Sequence, residues 1–372
     1  MRGGVEYGYM KKIITGLAVI VVIILIVLGM NGKRDDGVVK IGFLGPLTGG
    51  AAAYGELYKA GVQFASEDFL PNGEKDGKKF QVIYEDGGCD PKTAVSAAQK
   101  LINIDKVDAI IGGMCSGETM AMIDLVNQNK IPVITAGSNP EIAPKSNYVF
   151  QIWPVDSYGG KIMSDMVKKF SPTKVAVLSA NTSYALGISD VFIKEYGNVA
   201  IYEKFNEDQT DFKDVVAKVI DSKADALVIN TQTPKTLLLL AKQLRDSGVK
   251  TQIYTAYHNS EEVLNSPYLA GMRTVSVPIL ASDSKNLVKR YKDKTGTDAS
   301  LPFVIAGGYD SLDLFVQAFV KVGRDPNKVV KYLEGVKDYQ GTVGKFSFIN
   351  HQVDGLSLPT MQIVDKKFVD LK

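Results

Sequence analysis

The chain is poor in the side chains that most often carry chemistry. Its 372 residues include 2 Cys, 2 His and 1 Trp. That is too few Cys and His to build a zinc or iron–sulfur site from these ligands alone. There is no excess of either charge: 43 basic against 41 acidic residues give a net +2. A protein that wraps nucleic acid needs a basic surplus, so that class is excluded. Nucleotide-binding loops are missing too. Gly42-Phe43-Leu44-Gly45 is not G-x-G-x-x-G, and Pro46 lacks the N–H that a phosphate needs. Neither G-x-x-x-x-G-K-[ST] nor G-x-S-x-G occurs. His258 and His351 have no partner set typical of a triad or metal site and read as core or surface histidines. No catalytic constellation, metal or cofactor is expected, and the chain reads as a non-enzyme.

The start of the chain is distinctive. Arg2, Lys11 and Lys12 precede the uncharged apolar run Ile13–Met30, and Lys33-Arg34-Asp35-Asp36 follow it. A basic start before an apolar run is an export signal. The run just reaches the lower limit for a membrane-spanning helix, about 17–20 residues. Residues 1–36 therefore read as an N-terminal signal or membrane anchor. Either the segment stays uncleaved with the body outside, or it is removed and the body is released. Export also permits a disulfide. Cys89 and Cys115 are the only pair, and bridging them adds about 3–4 kcal/mol in the chain-entropy model. Two free buried thiols are the alternative.

Beyond the leader, short apolar runs alternate with amphipathic stretches. Strands are predicted at Val38–Leu44, Phe80–Tyr84, Ala109–Gly112 and Ile131–Ile134, with helices between them. Asp90-Pro91 is a helix N-cap followed by Pro in the first turn. The pattern restarts after Asp156, with strands at Val175–Leu178, Val199–Tyr202, Ala226–Ile229 and Ile253–Ala256. Two β-α-β series of this kind predict an α/β protein of two doubly wound parallel-sheet lobes. Helices after Leu287 and late strands near Phe346–Ile349 and Leu358–Val364 complete the chain.

In open parallel sheets a ligand sits beyond the carboxyl ends of the strands. Here those loops are rich in hydroxyls, amides, Gly and Tyr, which suits a small polar solute. Ser116 stands at a helix start, where free N–H groups favour an anion; an ordinary N-cap is its plainer reading. Ser138 also reads as a turn Ser after Gly137, and Tyr54 and Tyr184 as core aromatics. Glu118, in a first helical turn, reads as a solvated, dipole-matched acid. Trp153 reads as hinge or core packing, with a place in an aromatic pocket wall as the alternative.

These loops resemble those of the Leu/Ile/Val-binding proteins, the type I solute-binding proteins of branched-chain amino acid ABC transporters. The likeness spans about residues 38–365, carried by VKIGFLGPLTGGAAAYGE, YEDGGCDPKTAVSAAQKLI, IIGGMCSGETMA, PVITAGSNPE and GGYDSLDLF. In that family the two matching cysteines form one disulfide, which implies Cys89–Cys115. The resemblance implies a ligand carboxylate met by Ser116 and Ser138 with backbone from Ala136 and Gly137. It implies aromatic walls at Tyr54 and Tyr184. Gln232 falls where a Tyr is common. Tyr257 falls where amino acid binders carry an acid for the ligand ammonium, and Glu118 and Asp310 are acids that could replace it.

The fold implied is a periplasmic-binding-protein type I pair of lobes with a three-crossing hinge near Trp153–Asp156, Pro278–Ala281 and Gly341. Lobe 1 is then 38–155 plus 281–340, and lobe 2 is 156–280 plus 341–372. The function implied is capture of a small carboxylate-bearing solute, a branched-chain or related amino acid, for ABC permease subunits outside the cytoplasm. The leader would attach the protein to the membrane. The alternatives are an amide, urea-like or aromatic acid ligand, or a ligand-sensing ectodomain.

Overall fold

The computed structural model describes residues 37–277 and 285–371. The leader, residues 1–36, and the crossing expected at Pro278–Ala281 lie outside the described residues.

The first half runs β1 (Val38–Gly45), α1 (Ala52–Phe69), β2 (Glu74–Lys75), β3 (Lys78–Asp86), α2 (Pro91–Gln99), β4 (Ala109–Gly112), α3 (Ser116–Asn129), β5 (Val133–Thr135) and β6 (Val149–Gln151). The second runs α4 (Asp156–Lys169), β7 (Val175–Ala180), α5 (Ser183–Tyr196), β8 (Ile201–Phe205), α6 (Lys213–Ser222), β9 (Ala226–Asn230), α7 (Pro234–Asp246), β10 (Gln252–Ala256), α8 (Glu261–Leu264) and β11 (Arg273–Val275). The chain ends with α9 (Leu287–Thr295), α10 (Pro302–Val322), α11 (Pro326–Glu334), β12 (Tyr339–Gly341), β13 (Gly344–Ile349), β14 (Gln352–Asp354), β15 (Thr360–Val364) and β16 (Lys367–Asp370).

Two sheets result. One has the order β12-β13-β14-β6-β5-β4-β1-β3-β2, the other β16-β15-β11-β10-β9-β7-β8. The inner strands pair in parallel, as with Phe43 against Ile111 and Val177 against Val228. β4, β7 and β9 are buried along their whole length, as expected for strands covered by helices on both faces. Local chemistry starts the helices. The Asp90 carboxylate accepts from Thr93 N–H at 2.9 Å ahead of Pro91. Thr182 accepts from Ala185 N–H at 3.2 Å to open α5.

The third crossing is not where the sequence places it. β12 and β13 form a hairpin, β13 pairs with β14, and Gln352 of β14 pairs with Gln151 of β6. Residues 341–354 therefore belong to the first sheet, and the chain passes to the second sheet only between β14 and β15. The buried Asp310 carboxylate fixes that hairpin by accepting from Thr342 N–H at 2.8 Å and Val343 N–H at 2.9 Å. Asp310 thus has a structural task and is not the replacement acid for a ligand ammonium.

α10 is long and apolar enough to cross a membrane by length and composition, but it is mostly buried and serves as a core helix. It packs on α1 backbone to backbone. A Cβ on Gly61 would lie 1.9 Å from the Ile305 carbonyl oxygen, and one on Gly308 would lie 2.2 Å from that of Tyr58. Gly308→Ala is expected to cost about 1–3 kcal/mol through overpacking. Gly307→Ala meets only a Tyr58 ring carbon at 3.7 Å and is expected to be neutral or to gain up to about 1 kcal/mol of helix propensity. Urea unfolding of the two variants checks this; equal losses would rule out the backbone contact as the cause.

Candidate functional site

A hydroxyl network ties the loops after β4 and β5 together at the carboxyl edge of the first sheet. Thr135 Oγ1 donates to Gly113 O at 2.6 Å, and Thr119 Oγ1 donates to the same carbonyl at 2.8 Å. Gly137 N–H donates to Thr135 Oγ1 at 2.9 Å. Gln151 Nε2 reaches the carbonyls of Gly137 and Asn139 at 2.8 and 3.0 Å. All of these side chains are buried, so the bonds replace the water that the loops would otherwise need.

Ser116, first residue of α3, is held by this frame. Its Oγ accepts from Ser138 N–H at 3.1 Å and Asn139 N–H at 3.2 Å. With both lone pairs engaged, the hydroxyl hydrogen is left to donate. The free N–H groups of the helix start lie beside it, and together they suit a carboxylate. Ser138 is bound differently. Its Oγ lies 3.1 Å from Asp156 Oδ2, and its carbonyl accepts from Asp156 N–H at 2.9 Å.

A cavity of about 70 Å³ lies against this wall, lined on the first-sheet side by Tyr54, Met114, Ser116, Ala136, Ser138, Trp153 and Leu301. The second-sheet side supplies Tyr184, Gln232, Tyr257 and His258. A single water needs about 10–15 Å³ on this measure, so the space suits a small solute. Of the residues expected here, Tyr54, Ser116, Ala136, Ser138, Tyr184, Gln232 and Tyr257 all line it. Gly137 does not. Its missing side chain lets the loop press on α3, since a Cβ would lie 2.9 Å from Thr119 Oγ1 and 3.2 Å from Ser116 Cα. Gln232 also lines a larger cavity of about 620 Å³, whose wall includes Cys89 and Cys115. These two cysteines form the disulfide.

The aromatic wall is tightly arranged. Trp153 meets Tyr257 edge-on at 6.1 Å and Phe303 at 5.1 Å. Tyr184 Oη donates to Ala256 O at 3.2 Å. Tyr257 sits at φ 61°, a strained left-handed conformation for a bulky residue, with its N–H on Val275 O at 2.7 Å. Its Oη has no partner, and it occupies the space that a Cβ on Gly159 would take. Burial raises the phenol pKa values of Tyr54, Tyr184 and Tyr257, with the nearby Asp156 charge adding to the last two.

Three acidic or basic groups are buried here, and one of them, Glu118, departs from the sequence reading. Asp156, first residue of α4, is fully buried beside Ser138, and its Oδ1 has no partner. Burial lifts its pKa well above the usual carboxylate range, against the lowering effect of the Ser138 bond. An Asp at a helix start looks like a solvated first-turn acid, so its burial has no signal in the sequence. Glu118 is not solvated but 0% exposed. Burial pushes it up to about 7, while backbone N–H groups of Cys115, Cys89 and Met114 pull it down. His258 is a core histidine, as read, and it also lines the cavity. Its Nε2 faces Thr231 O at 3.0 Å, which assigns the hydrogen to Nε2, and Nδ1 has no partner. His351 lies apart, stacked on Phe150 and 3.2 Å from Glu334.

The sequence profile of the periplasmic binding proteins matches residues 38–366. The chain belongs to the periplasmic binding protein family. Its members bind solutes and are not enzymes, and they work outside the cytoplasm. A leucine-, isoleucine-, valine-, threonine- and alanine-binding protein of Pseudomonas aeruginosa is 27% identical over 327 residues, covering 83% of this chain and 85% of that protein. The substrate-binding protein LivJ of Streptococcus pneumoniae, solved with isoleucine, has TM-score 0.78 and 26% identity, covering 89% of this chain and 97% of that one. A solute-binding protein of R. palustris, solved with 4-hydroxybenzoate, has TM-score 0.79 and 20% identity, covering 90% and 96%; that likeness concerns the fold.

His258 gives a pH test of this periplasmic binding protein. Burial lowers its pKa from 6.5 to about 4, against the raising effect of the Thr231 bond. The folded state therefore favours the neutral ring. Its contribution is complete above pH 6.5 and is lost as pH falls from 6.5 to 4, by about 3 kcal/mol. Glu118 and Asp310, raised to about 7 and about 6, act in the opposite sense, because acid relieves their burial. The raw curve is thus a sum, and the wild-type minus His258→Gln difference isolates the ring. That difference in unfolding free energy is expected to shrink between pH 6.5 and 4; a constant difference would place His258 in water.

Proposed function

We propose that this protein is the substrate-binding component of an ABC importer and that it captures a small α-amino acid between its two lobes. Ser116 and the α3 start receive the carboxylate, with Ser138 and the Ala136 and Gly137 backbone shaping that end. Asp156, bonded to the cavity-lining Ser138 but not itself lining the cavity, receives the ammonium. Tyr54, Tyr184, Gln232 and Tyr257 enclose the remainder. Lobe 1 comprises 38–152 and 285–354, and lobe 2 comprises 156–277 and 355–371. Residues 1–36 lead the chain out of the cytoplasm, where an uncleaved segment would hold it near a permease.

The observation that carries this reading is the half-partnered Asp156 carboxylate. A buried acid with an unused oxygen is costly unless it is protonated or paired with a cation. An α-ammonium supplies both the charge and the hydrogen bonds. It also answers the departure at Tyr257, because the acid arrives from the start of α4 instead of the loop after β10. An aromatic acid brings a carboxylate and a flat ring but no cation, so it leaves Asp156 unmet.

Titration calorimetry with L-leucine, L-valine, L-threonine and 4-hydroxybenzoate tests this. Ser116→Ala is expected to weaken the amino acids by about 1.5–3 kcal/mol, the range for a hydrogen bond to a charged group. Asp156→Asn is expected to weaken them at least as much and to spare any benzoate binding. Amino acid affinity unchanged in Asp156→Asn would remove Asp156 from ammonium recognition. Binding of 4-hydroxybenzoate alone would replace the amino acid reading with the aromatic one.

A further inference from the structure

Glu118 does more than cap α3. A capping acid needs to accept only from the N-cap N–H, and Glu118 Oε2 does this, from Cys115 N–H at 2.9 Å. Its other oxygen, Oε1, accepts from Cys89 N–H, also at 2.9 Å, on a loop 29 residues earlier. One carboxylate thus joins the backbones of the two residues that the disulfide joins through their side chains.

The surrounding backbone leaves space for this carboxylate. A Cβ on Gly87 would lie 2.2 Å from Glu118 Oε1, and one on Gly113 would lie 2.7 Å from Glu118 Cβ. Cys89 itself is held at φ 55°, a conformation few non-glycine residues adopt without support. The charge facing Glu118 from β3 is Asp86, of the same sign. Asp86 in turn accepts from Leu47 and Gly88 N–H, each at 2.8 Å, so that strand end brings no cation to relieve the burial. A costly buried charge that bridges two loops, two residues after Ser116, is placed to hold geometry.

We propose that Glu118 is a positioning residue, a non-covalent second staple across Cys89 and Cys115 that keeps the α3 start and Ser116 in binding geometry when the disulfide is open. The proposal rests on the carboxylate-recognition role given to Ser116. It makes solute capture tolerant of reduction, because either staple suffices. Gln cannot substitute, since its amide offers one acceptor oxygen and turns an N–H₂ donor towards the other N–H.

The test uses the wild type, Glu118→Gln and Cys89→Ser/Cys115→Ser, with and without reduction by a phosphine, thiol release being counted. L-leucine affinity is measured by calorimetry, and the urea midpoint is measured without ligand. Reduction of the wild type and the Cys89→Ser/Cys115→Ser change are each expected to alter the leucine Kd by less than about threefold. Reduction of Glu118→Gln is expected to weaken it about tenfold or more, with a larger midpoint loss than in the wild type. Should Glu118→Gln not fold, the double serine variant decides alone: folded but at least tenfold weaker in leucine binding, it overturns the proposal. Equal reduction penalties in wild type and Glu118→Gln overturn it as well. If the oxidised wild type does not bind leucine, the amino acid reading has failed for that solute, and the staple is judged from the urea midpoints.

Discussion

The bond set at Gly113 governs the cleft. Thr119 and Thr135 both donate to its carbonyl, one from α3 and one from the end of β5. Loops at the carboxyl edge of a parallel sheet are usually satisfied by water. Here they are buried, so their polar groups must satisfy each other. That demand fixes where α3 begins relative to the β5 loop. It thereby sets the approach of Ser138 and Asn139 to Ser116 Oγ and leaves the Ser116 hydroxyl as a donor. The same frame explains Gly137, whose missing side chain permits the close approach of the loop to α3.

Two buried carboxylates at helix starts then divide the work. Both suffer the same desolvation, and burial raises both pKa values. Glu118 is saturated by backbone N–H groups, so it can lock loops but has little left to offer a solute. Asp156 is held on one oxygen only, so it has interaction to give. Helix dipoles favour both acids, and the count of remaining hydrogen-bond capacity separates the structural acid from the one proposed to recognise a solute. Sign and location alone would treat them as equivalent.

Much of this was legible in the sequence. The alternation of buried strands and amphipathic helices, the two series, the Asp90-Pro91 helix start and the cysteine pair all depend on local pattern, and local pattern is what a sequence displays. Seven of the eight expected ligand-site residues line one cavity because loop position after a parallel strand already dictates which edge they reach. What was not legible depends on long-range pairing. Residues 341–354 look like any late strands until Gln352 meets Gln151 and Asp310 anchors the hairpin turn. Asp156, Glu118 and His258 have unremarkable local contexts; only tertiary burial leaves Asp156 and His258 with unsatisfied capacity and makes Glu118 a bridge between two loops.

The described conformation brings the two halves into direct contact. Asn139 Nδ2, on the loop after β5, donates to Ser183 O at the start of α5 at 2.6 Å. Gly187 of α5 leaves room for it, since a Cβ there would lie 2.8 Å from Asn139 Nδ2 and 3.3 Å from Asp156 Oδ2. One hydrogen bond of this kind contributes about 1 kcal/mol net, too little to hold two lobes shut against the freedom gained on opening. A solute that contacts both Ser116 and Asp156 adds interactions that exist only when the halves meet, and that differential is what shifts a hinge equilibrium. Asp156 stands at the first crossing of the chain between the sheets. In the proposed reading, filling its open valence acts where a small rotation separates or joins the walls, so that recognition and closure would draw on the same carboxylate.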